Sequence, residues 1–261
     1  MKRSNPQTLL AITTTAAITA LICLSLAPRS GRQAGAQSPP TESKSAETDS
    51  ASDPKTESKT AVQPGPKADD VLKDLVEGNQ RFVAGESRHP HESKNWRASL
   101  EASQSPKAVI LGCADSRVPP EIILDQGLGD LFVVRVAGNV VDTDVTASIE
   151  YAVDHCGTNL VVVMGHTGCG AVTAAHQHLI REVNETDEIE TLLYRIEPAL
   201  EKVDRSKALR EQINEGVRHN VELSVRRLKE VPDLMKSLRH RDLMIVGAVY
   251  DLHSGKVEFL K

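Results

Sequence analysis

Hydrophobic and polar positions follow two different periods along the C-terminal three quarters of the chain. After Asp69 and Asp70, the residues Val71, Leu72, Leu75, Val76, Phe82 and Val83 recur at helical spacing, which predicts a first amphipathic helix running to about Ala84. Four short apolar runs, 107–112, 131–136, 160–165 and 243–249, are rich in Val, Ile and Leu and read as strands buried on both faces. Between them Val145, Ile149, Ala152, Val153 and Cys156 mark one face of a helix that Gly157 stops, and further helical patterns lie near 170–181, 189–203 and 206–230. Strands that alternate with helices imply βαβ crossovers. Residues 256–260, entered through the turn at Ser254 and Gly255, read as a last edge strand antiparallel to its neighbour. The expected fold class is therefore α/β: a central, mostly parallel four-stranded sheet with an antiparallel edge strand, flanked by helices.

Composition narrows this reading. Hydrophobic residues make up 39% of the 261 positions but aromatic ones only 3%, so the core has to be built from Val, Leu, Ile and Ala. The N-terminal quarter has a different character. Lys2 and Arg3 precede an uncharged apolar stretch from Leu9 to Ala27, so residues 1–36 read as a signal peptide or a membrane anchor. Ala34, Gly35 and Ala36 form an A-x-A site that would release the chain before Gln37. Residues 37–67 are Ser, Thr, Pro and charges of alternating sign; such a segment buries too little apolar surface to offset its ordering entropy and reads as a disordered linker. Residues 68–261 are then expected to form one globular domain, exported to a periplasm or equivalent lumen and membrane-proximal through its N-terminal segment. The net charge of -5 and the scattered basic residues argue against nucleic acid as a partner.

Candidate chemistry collects where two strands end. The first apolar strand runs into Cys113, Ala114, Asp115, Ser116 and Arg117, and the third into His166, Thr167, Gly168, Cys169 and Gly170. In an open α/β sheet that carboxyl edge is where ligands bind. An extended Cys113–Asp115 segment points both side chains the same way, and a tight glycine turn after His166 folds Cys169 back beside it. Two thiolates and an imidazole suit Zn2+, whereas calcium or magnesium would call for oxygen. The competing reading is a Cys113–Cys169 disulfide in an oxidising compartment, which would leave Asp115, Arg117 and His166 without a shared purpose. Cys156 reads as a core residue, and His176 and His178 as residues of a solvated helix.

The run QSPKAVILGCADSRVPPEIILDQGLGDLFVVRVAGNVV, followed by SIEYAV, VVVMGHTGCGAV and GAVYDLHSGKVEFL, closely resembles the β-carbonic anhydrase family from about residue 70 onward. The resemblance implies one Zn2+ per subunit held by Cys113, His166 and Cys169, with Asp115 and Arg117 as a catalytic dyad and Asp115 as fourth ligand in a closed state. It implies reversible hydration of carbon dioxide to bicarbonate and a proton through zinc-activated hydroxide, with the small-molecule substrate in a narrow pocket at Gln104, Phe132, Ala137, Tyr151 and Gly170. In the family a neighbouring subunit supplies part of this pocket, which implies a homodimer or a higher even homo-oligomer. Val136 departs from the Asn usual in the family's R-N-A-G-N, and Arg135 and Asn139 look structural. Two alternatives stay open: a carbon disulfide or carbonyl sulfide hydrolase on the same fold, and a non-catalytic zinc protein with a closed structural site.

Overall fold

The computed structural model describes residues 65–180, 183–240 and 242–260. The expectations for residues 1–36 and for the linker up to residue 64 lie outside the described residues. Helix α1, Ala68–Ala84, ends where Gly85 enters the left-handed region at φ 72°. It is followed by a short helix α2, Lys94–Ser99, capped by the Ser93 hydroxyl. Strand β1, Ala108–Gly112, precedes the single turn α3, Pro120–Ile123, and strand β2, Leu131–Arg135. A 3-10 turn at Ala137–Asn139 leads into α4, Thr143–His155, whose first turn is capped by Asp142 accepting from the Val145 amide. Strand β3, Leu160–His166, is followed by α5, Gly170–Leu179, α6, Asp187–Leu200, and α7, Leu209–Glu230. The chain closes with α8, Pro232–His240, and strands β4, Met244–Tyr250, and β5, Val257–Leu260.

The strand order is β2-β1-β3-β4-β5, with four parallel strands and β5 antiparallel at the edge, as the apolar runs predict. Alternation divides β1 and β3 between two cores. Ala108, Ile110, Leu160, Val162 and Met164 join Leu75, Ile123, Val172, Ile196 and Leu200 on one face. Val109, Leu111, Val161 and Val163 join Val145, Ile149, Val221, Leu228 and Leu234 on the other. The sheet winds in opposite directions from β1, to β2 on one side and β3 on the other. The gap between the carboxyl ends of β1 and β3 is therefore the topological switch point of the sheet.

Three elements escaped the pattern. Helices α2 and α3 are too short to show a period, and α8 follows α7 after only Val231, so its apolar positions Leu234 and Leu238 fall between a long helix and a strand. Helix α6 stops at Leu200, three residues short of expectation, with Pro198 in its last turn. At the opposite end from the switch point, the Gly65 amide donates to Gly157 O at 2.9 Å, and Asn159 Nδ2 reaches Gly65 O at 3.1 Å and Pro66 O at 3.2 Å. The described chain thus enters at the amino-terminal end of β3. Among the described residues no helix is long and apolar enough to cross a membrane.

Candidate metal centre

Cys113 follows the last residue of β1, and His166 is the last residue of β3. Gly168 turns the chain at φ 63°, a conformation that favours glycine, and Cys169 becomes the residue that opens α5. Asn214 of α7 accepts from the Gly168 amide at 3.2 Å, and Thr167 is tied to β4 through its amide on Tyr250 O at 2.9 Å. The turn is thus held from two sides. It brings Cys113 Sγ and Cys169 Sγ to 4.0 Å, far beyond a disulfide bond of about 2 Å, and all three cysteines among the described residues are free thiols. The ligand atoms of Cys113, His166 and Cys169 lie within 4.8 Å of one another, and all three residues are buried.

These residues fit a zinc ion. Two thiolates at Zn–S distances of about 2.3 Å in a tetrahedron stand about 3.8 Å apart, close to the observed 4.0 Å. His166 Nδ1 is hydrogen-bonded to Thr167 O at 3.1 Å, which places the proton there and leaves Nε2 as the donor atom. That Nε2 is buried and has no hydrogen-bond partner, an arrangement that is costly unless a cation takes the lone pair. Each sulfur also faces backbone amides. Cys113 accepts from Gly138 N at 3.3 Å and interacts with the Asp115 amide, while Cys169 faces the Ala171 and Val172 amides at the N-terminus of α5. The contact between the two sulfurs pulls them apart in acidity: it lowers the pKa of the Cys113 thiol and, together with burial, raises that of Cys169. A dication between them would stabilise both as thiolates.

Asp115 stands beside this cluster, with Oδ2 at 3.8 Å from His166 Nε2. Arg117 grips its carboxylate as a fork, with Nε on Oδ1 at 2.9 Å and Nη2 on Oδ2 at 2.6 Å, and the Arg117 amide adds a third bond at 3.0 Å. The guanidinium holds the Asp115 carboxyl well below the usual carboxylate range. On the backbone side, Arg135 donates to Cys113 O at 2.9 Å and to Asp115 O at 2.5 Å. One side chain therefore clamps the first and last carbonyls of the Cys113–Asp115 segment.

Comparison with known proteins places this geometry. A model of the carbonic anhydrase family matches residues 108–257. Carbonic anhydrase 2 of Mycobacterium tuberculosis is 42% identical over 186 residues, which cover 70% of this chain and 88% of the relative. The carbonic anhydrase of Mycolicibacterium smegmatis is 41% identical over 194 residues, covering 71% and 90%. Among solved structures, a tetrameric β-carbonic anhydrase of Sordaria macrospora superposes with a TM-score of 0.60 at 26% identity, over 73% of this chain and 97% of that one. The chain belongs to the β-carbonic anhydrase family. It is a carbonic anhydrase, and zinc is its metal.

Of the pocket residues expected from the β-carbonic anhydrases, the structure brings two to the cluster. Ala137 precedes Gly138, whose amide touches Cys113 Sγ, and Gly170 follows Cys169. Phe132 and Tyr151 are elsewhere: Phe132 packs on the sheet face opposite Cys113, and its ring centroid is 6.3 Å from that of Tyr151, which is half exposed on α4. Gln104 lies exposed in the coil before β1. The Val136 carbonyl accepts from the Ala114 and Asn139 amides at 3.3 and 2.9 Å, while its side chain packs against both cores. Two histidines depart from expectation. His176 is buried with Nε2 against Gln212 at 2.9 Å, and His178 lies 2.6 Å from Glu197, because α6 and α7 cover the face that the α5 periodicity leaves polar. Sequence reasoning also missed Arg135 as a clamp on the site. Its signal was the position, directly at the carboxyl end of the neighbouring strand.

Proposed function

We propose that this chain catalyses the reversible hydration of carbon dioxide to bicarbonate and a proton at the centre formed by Cys113, His166 and Cys169. The observation that carries the reading is the Arg117-held carboxylate of Asp115, 3.8 Å from the unpartnered His166 Nε2. Zinc held there supplies Lewis acidity that brings the pKa of a water molecule towards about 7. The remaining work falls to the protein's own side chains.

Asp115 accepts the hydrogen bond of the attacking water or hydroxide on Oδ2 and aims its lone pair at the carbon of the substrate. Its lowered pKa, set first by the Arg117 hydrogen bonds, keeps it an acceptor at neutral pH and a poor store for the released proton, which passes on to solvent. Arg117 occupies both carboxylate oxygens and so holds Asp115 off the fourth coordination position, supporting a site open to reaction. The two thiolates donate more charge than neutral ligands, which makes the metal a weaker Lewis acid and favours activity that rises towards alkaline pH. A structural zinc site would have no need of such a dyad.

The placement of Phe132 and Tyr151 on the far face supports a pocket completed by a second subunit. The tetrameric relative from Sordaria macrospora supports an even homo-oligomer. The N-terminal sequence pattern supports export, with the domain close to a membrane. The test is stopped-flow carbon dioxide hydration by the zinc-loaded protein across about pH 6 to 9, with zinc measured on the same sample. Rapid hydration that chelation abolishes and zinc restores is expected. A zinc-loaded protein inactive on carbon dioxide but active on carbon disulfide or carbonyl sulfide would reassign the substrate, and inactivity on all three would overturn the catalytic reading.

A further inference from the structure

The buried stripe of α7 is apolar except at two neighbouring positions. Ile213, Val217, Val221 and Leu228 fill it, and Asn220 and Ser224, four residues apart on the same face, interrupt it at 1% and 0% exposure. Asn220 Nδ2 donates to Gly138 O at 2.7 Å, and Ser224 Oγ donates to Asn139 O at 3.1 Å. Both bonds reach the 3-10 turn Ala137–Asn139 from more than 80 residues away in sequence. Gly138 is the residue whose amide donates to Cys113 Sγ at 3.3 Å.

The turn needs such support. Gly138 and Asn139 are both left-handed, at φ 66° and 44°, a conformation that costs a non-glycine residue energy. A side chain at 138 would meet Ile196 Cδ1 at 2.7 Å and Ala171 Cβ at 3.1 Å, so α5 and α6 press on the turn with apolar groups only. The polar partners come from α7. The amide of Asn220 is oriented by its acceptor, because the reverse placement would set Oδ1 against the Gly138 carbonyl. Its Oδ1 is buried without a partner. A leucine here would remove the unmatched Oδ1 but would strip the Gly138 carbonyl of its donor, so what the amide contributes is its hold on the turn.

We propose that Asn220, seconded by Ser224, is a positioning residue that keeps the Gly138 N–H on the Cys113 sulfur and so sets how strongly that sulfur donates to the metal. The inference rests on the zinc centre of the reading above but not on its substrate. An N–H···S bond withdraws electron density from a thiolate ligand, and groups that orient ligands from outside the coordination sphere tune the metal. Releasing the turn leaves Cys113 a stronger donor in a less fixed position.

The experiment is cobalt(II) substitution of the full-length protein and its variant Asn220→Leu. The expected result is a sulfur-to-cobalt charge-transfer band shifted to lower energy, a zinc affinity reduced about tenfold to a hundredfold, and a pH–rate midpoint displaced to higher pH. A folded Asn220→Leu protein with an unchanged band, zinc affinity and midpoint would overturn the proposal and leave Asn220 a purely structural residue. Should Asn220→Leu fail to fold, Ser224→Ala decides, with a smaller band shift in the same direction expected and no shift counting against the proposal. If the band responds but the wild-type protein does not hydrate carbon dioxide, the positioning role stands and the assigned reaction falls.

Discussion

Two aspartate–arginine pairs in this molecule use the same chemistry for different ends. Asp125, in a left-handed turn after α3, is buried; Arg81 Nε reaches its Oδ2 at 2.5 Å, and the Arg88 and His89 amides reach its Oδ1 at 3.0 and 3.1 Å. Asp115 is gripped as firmly by Arg117, but that guanidinium is more than half exposed, and Asp115 Oδ2 retains a free direction towards His166. In the first pair every strong acceptor direction is spent on holding a loop to α1. In the second, one direction on Oδ2 is left over, 3.8 Å from His166 Nε2. A carboxylate–guanidinium pair therefore does not by itself mark a catalytic site; under the proposed function the unspent lone pair is what distinguishes Asp115.

The comparison can be broken most sharply at the aspartates. Asp115→Asn should lower carbon dioxide hydration by about a hundredfold to ten-thousandfold, with zinc content and Tm essentially unchanged; undiminished turnover would remove Asp115 from the mechanism. Asp125→Asn should do the reverse, costing about 2–4 kcal/mol in urea unfolding while the folded, zinc-loaded enzyme keeps its kcat. The arginines sharpen the contrast. Arg117→Lys loses the fork and should cost about tenfold in kcat/KM, whereas Arg81→Lys, which replaces a single Nε contact, should cost about 1 kcal/mol of stability and no activity. The smallest effect is in acid. Burial pushes Asp125 up, but Arg81 and the two amides outweigh it and hold its carboxyl below the usual range. Its contribution is therefore present above the unfolded carboxyl value of about 3.9 and is lost as pH falls below it. Urea midpoints of Asp125→Asn should fall less steeply between about pH 5 and 3 than those of the wild type.

The alternation of apolar runs and helical spacings was enough to draw the sheet, its antiparallel edge and the placement of both cysteine motifs at strand ends. The three candidate ligands were legible for the same reason, since Cys113 and His166 sit where β1 and β3 stop. What was not legible depends on contacts between distant segments. Arg135 looked merely structural because nothing in the sequence says that β2 lies beside β1 in a register that sets Arg135 opposite Gly112. Asn220 looked like an ordinary helical residue, because the Gly138 carbonyl it serves is 82 positions away. His176 looked solvated because α5 alone does not reveal that α6 and α7 cover it. Local pattern reports the elements, and the polar contacts that tune the site belong to their packing.

The entry of the chain beside Gly157 has a practical meaning. The two ends of β3 are about 20 Å apart for seven residues, and the N-terminal connection is stitched to one end while the cysteines and histidine gather at the other. A domain held at Gly65 therefore presents its cysteine–histidine end to the solution, whereas coupling through surface groups near the β1 and β3 carboxyl ends would obstruct that end.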